Sequence, residues 1–189
     1  MGLLTLEQSQ LAYRADFASY GAAVLGLGAF LIESAPPGYG PTALAWTVAG
    51  IASWTVIEYV LHRFILHGLQ PFRGWHEAHH QRPVALICAP TIFSGSLIFV
   101  LVFLPTWWLG GLWCACALTL GLLIGYFAYA VAHHAAHHWR ADNAWLRRRK
   151  RWHALHHHAR EFGCFGVTSS FWDRVFGTAK SVDEVIDQG

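Results

Sequence analysis

Apolar residues gather along this chain into four long runs, at about Phe17 to Ile32, Thr42 to Leu61, Leu86 to Leu104 and Trp107 to Ala132. Each approaches the roughly 20 residues that a helix needs to cross a bilayer, the first being the shortest. Pro36, Pro37, Gly38 and Pro41 interrupt the chain between the first two runs, and Pro105 between the last two. The pattern predicts an all-α fold, an integral membrane helical bundle of about four transmembrane helices in two hairpins. The first run is not expected to be a cleaved signal peptide. It starts late, follows no basic segment and precedes no small-residue cleavage site.

Composition agrees. The chain is 54% hydrophobic and 13% charged, against roughly 25% charged for a soluble domain. At 189 residues it is read as one integral-membrane domain, 1–189, with no linker or low-complexity stretch.

Charge adds an orientation. The turns Ser34 to Pro41 and Pro105 to Thr106 contain no Lys or Arg, whereas Arg14, Arg63, Arg73, Arg82 and the run Arg147 to Arg151 lie on the opposite side. The positive-inside rule then predicts both termini and the central loop in the cytoplasm. A net charge of +2 is too small to point to nucleic acid. Arg147 to Arg151 are read as a solvated, topology-setting face that can touch anionic headgroups. Cys88, Cys114, Cys116 and Cys164 form no CxxC pair and are expected as free thiols.

The polar signal that carries chemistry is histidine. All 13 histidines fall into four clusters: His62 and His67; His76, His79 and His80; His133, His134, His137 and His138; and His153, His156, His157 and His158. On the predicted topology all four emerge on the cytoplasmic face, as a histidine-rich helical cap. Neutral imidazole is the commonest protein metal ligand, and so many imidazoles suit two ions better than one. His76/His79/His80 and His153/His156/His157 repeat His-x-x-His-His, whose i, i+3, i+4 spacing puts three imidazoles on one helical face. His133/His137 and His134/His138 each offer an i, i+4 pair. His62 and His67, spaced i, i+5, share no regular helical face, so the helix is expected to loosen or end there. A lone HxxH is often only a polar face, but four clusters on one predicted face do not fit that reading. Spacing alone leaves the metal open among those that imidazole suits.

EYVLHRFILHG (Glu58 to Gly68), WHEAHH (Trp75 to His80), GYFAYAVAHHAAHH (Gly125 to His138), WHALHHH (Trp152 to His158) and the tail FGVTSSFWDRVFGT (Phe165 to Thr178) together resemble the histidine boxes and closing segment of the fatty acid hydroxylase/sterol desaturase superfamily of membrane di-iron enzymes. The resemblance covers about Ser53 to Thr178 and lies nearest the fatty acid hydroxylase branch. It implies two iron ions, which zinc can replace on purification. The implied ligands are His62, His67, His76, His79, His80, His133, His137, His153, His156 and His157. The third box is ambiguous: the Gly-Tyr-x-x-Tyr lead-in favours His133 and His137, while counting back from His153 favours His134 and His138. Ala130 stands where the family often has Asp, so a contact behind a ligand can be missing. Glu58 either orients a ligand imidazole or pairs with Arg63 or a backbone donor. Asp173 either supports a ligand or caps a helix start.

The implied reaction is O2-dependent hydroxylation of a fatty acyl chain or related lipid. Carotenoid hydroxylation and sterol desaturation are the alternatives within the class. The chain has no Gly-x-Gly-x-x-Gly fingerprint and no cysteine cluster, so electrons are expected from a separate reductase, ferredoxin or cytochrome. A membrane metal-binding or transport protein is the rival from another class. It would place ionisable ligands near the bilayer midplane, where only Glu58 is expected.

Overall fold

A computed structural model describes residues 7–87, 89–158 and 163–180, so Cys88 lies outside the described residues. Within them every regular element is helical: α1 (Gln10–Ser34), α2 (Gly40–Val60), α3 (Phe72–Gln81), α4 (Thr91–Ile98), α5 (Leu104–His138), α6 (Ala144–His158) and α7 (Phe171–Val175). Two π-helical segments, Leu61–Leu66 after α2 and Phe99–Phe103 between α4 and α5, extend these helices. A helix satisfies its own backbone, which is what an apolar surrounding demands. Glu7 and Ile87 add one isolated antiparallel bridge.

Three continuous helical stretches are long and apolar enough to span a membrane: Gln10–Ser34, Gly40–Leu66 and Thr91–His138. Their side chains are largely exposed, as at Leu25, Ile32, Leu101 and Trp108. Such apolar belts need a lipid surrounding, and they mark an integral membrane protein. The sequence predicts four runs; the third and fourth lie in one stretch of 48 residues. If straight it would measure roughly 70 Å.

It is not straight, and the break differs from the expected one. Pro105 sits inside the helical stretch, because the wide π turn just before it, where the Leu104 N–H reaches the Phe99 carbonyl, absorbs the ring and the missing donor. The chain turns instead at Gly111, with φ 80° and ψ 173°, a conformation essentially open to glycine alone. Tyr20 shows the reversal: its hydroxyl bonds Ser94 Oγ at 2.6 Å while its ring lies 4.5 Å from that of Tyr126. One α1 side chain thus touches the stretch on both sides of Gly111.

The chain divides into two compact units, residues 1–54 with 86–127 and residues 55–85 with 128–189. In the first unit, helices meet at very short range. A Cβ on Gly50 would strike the Leu118 carbonyl, one on Gly121 the Thr47 carbonyl, and one on Gly125 the Trp54 side chain. This is the small-residue packing of membrane helices, reinforced by the Thr47 hydroxyl donating to the Ala117 carbonyl at 3.2 Å. Asp16 of α1 takes up the Thr91 N–H at 3.3 Å, capping α4 where Pro90 offers no side-chain acceptor. Cys114 and Cys116 are free thiols here.

The second unit holds every histidine cluster. Its elements are the end of α2 with its π segment, α3, the end of α5, α6, α7 and the segment 163–170.

Candidate metal centre

The π segment explains the odd spacing of the first cluster. Between Leu61 and Leu66 the helix widens, and the His67 N–H bonds the His62 carbonyl at 3.2 Å. In this i→i+5 pattern, residues five apart come onto one side. The rings of His62 and His67 accordingly lie 5.3 Å apart and 29° from parallel. The expectation that the helix loosens there holds, and the loosening serves the site.

The remaining imidazoles arrive on regular helices. α3 presents His76, His79 and His80, the last turns of α5 present His133 and His137, and α6 presents His153, His156 and His157. They gather into two groups. In the first, His62, His67, His76, His80 and His156 each bring a ring nitrogen within 4.8 Å of the others; in the second, His79, His133, His137 and His153 do the same. α3 divides its three imidazoles between the groups, and α6 gives His156 to the first and His153 to the second. His157 lies beside the second group, its Nε2 3.1 Å from that of His153, while its ring stacks on His80 at 4.1 Å.

The contacts inside the groups run Nε2 to Nε2: His62–His76 at 3.0 Å, His76–His80 at 3.1 Å and His67–His156 at 3.1 Å in the first; His79–His133 at 3.1 Å, His133–His137 at 3.3 Å and His137–His153 at 2.8 Å in the second. A ring nitrogen carries either one proton or one in-plane lone pair. It cannot donate to one neighbour and accept from the next, so these chains are poor hydrogen-bond networks. They are good coordination spheres: nitrogens held about 2.1 Å from one ion, at right angles, lie about 3.0 Å apart. The residues fit a pair of metal ions.

Two imidazoles of the first group have their tautomer set by the backbone. His62 Nδ1–H donates to the Phe165 carbonyl at 2.6 Å, and His156 Nδ1–H to the Gly163 carbonyl at 2.7 Å. A carbonyl only accepts, so both Nε2 atoms carry lone pairs facing the group. Cys164, between these carbonyls, has φ 56°, a left-handed turn uncommon outside glycine. The Phe165 ring lies edge-on to His62, His67 and His156 at 5.6 to 5.8 Å, shielding that side from water. In the second group, Nδ1 of His79 and His153 is buried with no partner among the described residues, as is Nδ1 of His157.

Electrostatics keep the imidazoles uncharged. Burial, reinforced by neighbouring imidazoles, pushes His79 down to about 3 and His80 to about 4. Burial with His80 and Arg73 pushes His67 to about 4. His76, His153 and His156 are held well below the ordinary value by the same causes. Neutral imidazole is the ligating form.

Glu58 and Asp173 act one step behind this layer. Of the alternatives for Glu58, the structure shows backbone donors. Oε1 accepts the N–H groups of Val167 and Thr168 at 2.6 and 2.9 Å, and Oε2 accepts the Thr168 hydroxyl. Arg63 donates instead to the Tyr59 hydroxyl at 2.7 Å. Asp173, fully buried, accepts from Phe165 N–H, Gly166 N–H and the Thr178 hydroxyl, each at 2.8 Å. The two carboxylates therefore clamp the segment whose carbonyls set His62 and His156. Sequence reasoning missed those carbonyls, since a backbone acceptor leaves no mark in residue type.

Of the two third-box pairs, only His133 and His137 enter a group. The rings of His134 and His138 stack on each other at 4.5 Å, with His134 also edge-on to Trp139 at 6.0 Å. His158 is exposed. A cavity of about 280 Å³ lined by His67, His80, His157, Arg73 and Glu77 opens beside the first group.

Comparison with known proteins places this arrangement. The model of the family described as fatty acid hydroxylase matches residues 47–178. The ceramide very long chain fatty acid hydroxylase of Schizosaccharomyces pombe is 32% identical over 153 residues, covering 72% of this chain and 42% of the relative. The dihydroceramide fatty acyl 2-hydroxylase of Arabidopsis thaliana is 32% identical over 148 residues, covering 70% and 60%. The solved structure of full-length scs7p, in which only the hydroxylase domain is visible, superposes with a TM-score of 0.79 at 26% identity, over 93% of this chain and 69% of that one. The chain thus spans about half the length of these two curated relatives.

Proposed function

This chain belongs to the fatty acid hydroxylase family, and on that footing we propose that it is an O2-dependent di-iron hydroxylase acting on a fatty acyl chain, free or within a ceramide-type lipid. The observation that carries the reading is the convergence of imidazoles from four helical segments into two adjacent groups. His62, His67, His76, His80 and His156 would hold one iron; His79, His133, His137 and His153, with His157 alongside, the other. Bound iron supplies the reduction of O2 that oxidises an unactivated C–H bond. One oxygen atom enters the C–H bond as hydroxyl and the other leaves as water, consuming two electrons and two protons. The electrons come from a separate reductase, ferredoxin or cytochrome.

The protein's own part is positional. Uncharged imidazoles face inward, the Phe165 ring and the clamped segment exclude water, and apolar helices bring the lipid chain. The cavity beside His67, His80 and Glu77 offers a way for protons and product water. We further read the long third stretch as two spans joined at Gly111, with the histidine-bearing unit and both termini on the cytoplasmic side. The imidazoles sit at helix ends, on the π segment that closes α2 and the last turns of α5. A transporter would hold them at mid-span.

The test is lipid mass spectrometry of cells expressing the chain under labelled O2, with His153→Ala as control and a reductase supplied. A labelled hydroxyl absent from the control supports the reading. Loss of two hydrogens without label would indicate a desaturase. No change in lipids, with iron bound, would leave metal handling as the function.

A further inference from the structure

Arg149 lies one helical turn before His153 on the buried face of α6 and is only 5% exposed. Its Nε and Nη1 are buried and meet no hydrogen-bond partner among the described residues. An arginine stays charged, and a buried charge without hydrogen bonds is strongly unfavourable. Glu58 and Asp173 are near enough to attract it, and their oxygens also accept from Val167, Thr168, Phe165, Gly166 and Thr178. Burial and the adjacent Arg148 together hold the Arg149 pKa below its ordinary value. Among the described residues, no carboxylate oxygen hydrogen-bonds its Nε or Nη1.

A cavity of about 320 Å³ lies at this point, with Arg148, Arg149 and Arg174 contributing three cations and Ser169 and Ser170 two hydroxyls. Trp145 and Phe171 also line it and are about half exposed, as expected of aromatic side chains at a membrane interface. We propose that this cavity binds a phosphate group, carried by an anionic lipid headgroup or by a free phosphate. The guanidinium fork of Arg149 matches phosphate oxygens, Arg148 and Arg174 close over it from the exposed side, and the volume leaves room for more than the phosphate itself. Basic pockets beside membrane helices suit such headgroups. An acidic protein surface could reach Arg148 and Arg174 but not the buried Arg149.

The test uses the full chain in phosphatidylcholine nanodiscs doped with phosphatidic acid, reading retained lipid by native mass spectrometry. Expected is saturable retention of one phosphatidic acid per chain. It should weaken at least about tenfold in the double variant Arg148→Gln/Arg174→Gln, and also in Arg149→Lys, which keeps the charge but loses the fork. Inorganic phosphate displacing the lipid at comparable concentration would make free phosphate the source; weak displacement would make it the headgroup. The site shares no residue with the imidazole groups, so metal content and melting temperature of the double variant should match the parent. If Arg149→Lys does not fold, the double variant decides alone. Equal retention in parent and double variant, or retention that follows bulk charge without saturating, would overturn the proposal. So would a double variant that impairs only reduction by an electron donor, since that marks protein docking.

Discussion

His62 and Phe165 stand 103 positions apart in sequence, yet the imidazole Nδ1 of one lies 2.6 Å from the carbonyl oxygen of the other. That bond ties the end of a membrane helix to an irregular segment near the C-terminus. It depends on Asp173, whose carboxylate holds the Phe165 and Gly166 N–H groups. Asp173→Ala strands those buried donors, costing roughly 1–3 kcal/mol for each. It should lower metal affinity roughly 10- to 100-fold, as loss of a ligand's outer partner does elsewhere. Asp173→Asn, which keeps one acceptor, should lie between. Thermal melting together with metal content per chain measures both effects, and unchanged metal content in Asp173→Ala would dissociate the segment from the site.

The two groups should not hold metal equally. His62 and His156 are oriented by carbonyls, whereas the buried Nδ1 atoms of His79 and His153 have no such partner among the described residues. Graded chelation of the loaded protein should therefore remove metal in two steps, the group of His79, His133, His137 and His153 emptying first. Elemental analysis against chelator concentration shows the plateau. One step removing both ions would mean that the carbonyl anchors contribute nothing separable.

On the proposed function, replacing His153 or His137 by Ala should abolish lipid hydroxylation and remove about one metal per chain. The same change at His134 or His138, whose rings face each other, should leave metal content intact. Reversal of that contrast would move the third-box ligands to the other pair.

Acid should destabilise the metal-free chain. Burial lowers His67 and His80 to about 4 and His79 to about 3, below the ordinary 6.5 of an unfolded imidazole. Between these values the unfolded chain binds protons that the folded chain refuses, so stability falls as pH drops through that window. These groups add no further loss below about pH 3. Melting temperature followed from about pH 7 to about pH 4 should decline steadily, and a flat profile would contradict the burial of the imidazoles.

In the first unit, Gly121→Val should be among the most damaging changes, because its Cβ would occupy the place of the Thr47 carbonyl. Backbone cannot yield as a side-chain tip can, so the loss should reach roughly 1–3 kcal/mol or more. Gly26→Ala, with open space around it, is the matched control in a melting experiment.

The apolar runs and histidine spacings made the helices and most of the centre legible from residue order alone, because hydropathy and helical period are local properties. Even the anomaly of His62 and His67 was visible as a spacing that no α-helix satisfies. What local pattern could not reveal was non-local or carried by backbone. The turn belongs to Gly111 rather than Pro105, since a π segment absorbs the proline. Glu58 and Asp173 stand out in the sequence as acids beside the boxes, but their partners are backbone N–H groups, 109 and 110 positions away for Glu58 and 8 and 7 for Asp173. The choice between His133/His137 and His134/His138 depends on which face of α5 meets α3 and α6.

The π segment from Leu61 to Leu66 makes this centre depend on the width of one helical turn as well as on residue identity. Its wider turn accommodates one residue more than a regular helix would, and each residue of an α-helix turns the chain by about 100°. Tightening that turn to a regular α-helix with every residue kept would carry His67 about 140° around from His62 and off the shared side, whereas deleting one residue between them would leave an i, i+4 pair that still shares a face. Here the width of one turn is itself a ligand-positioning device, and a change that favours the tighter α-helical turn would displace His67 with every imidazole still in the chain.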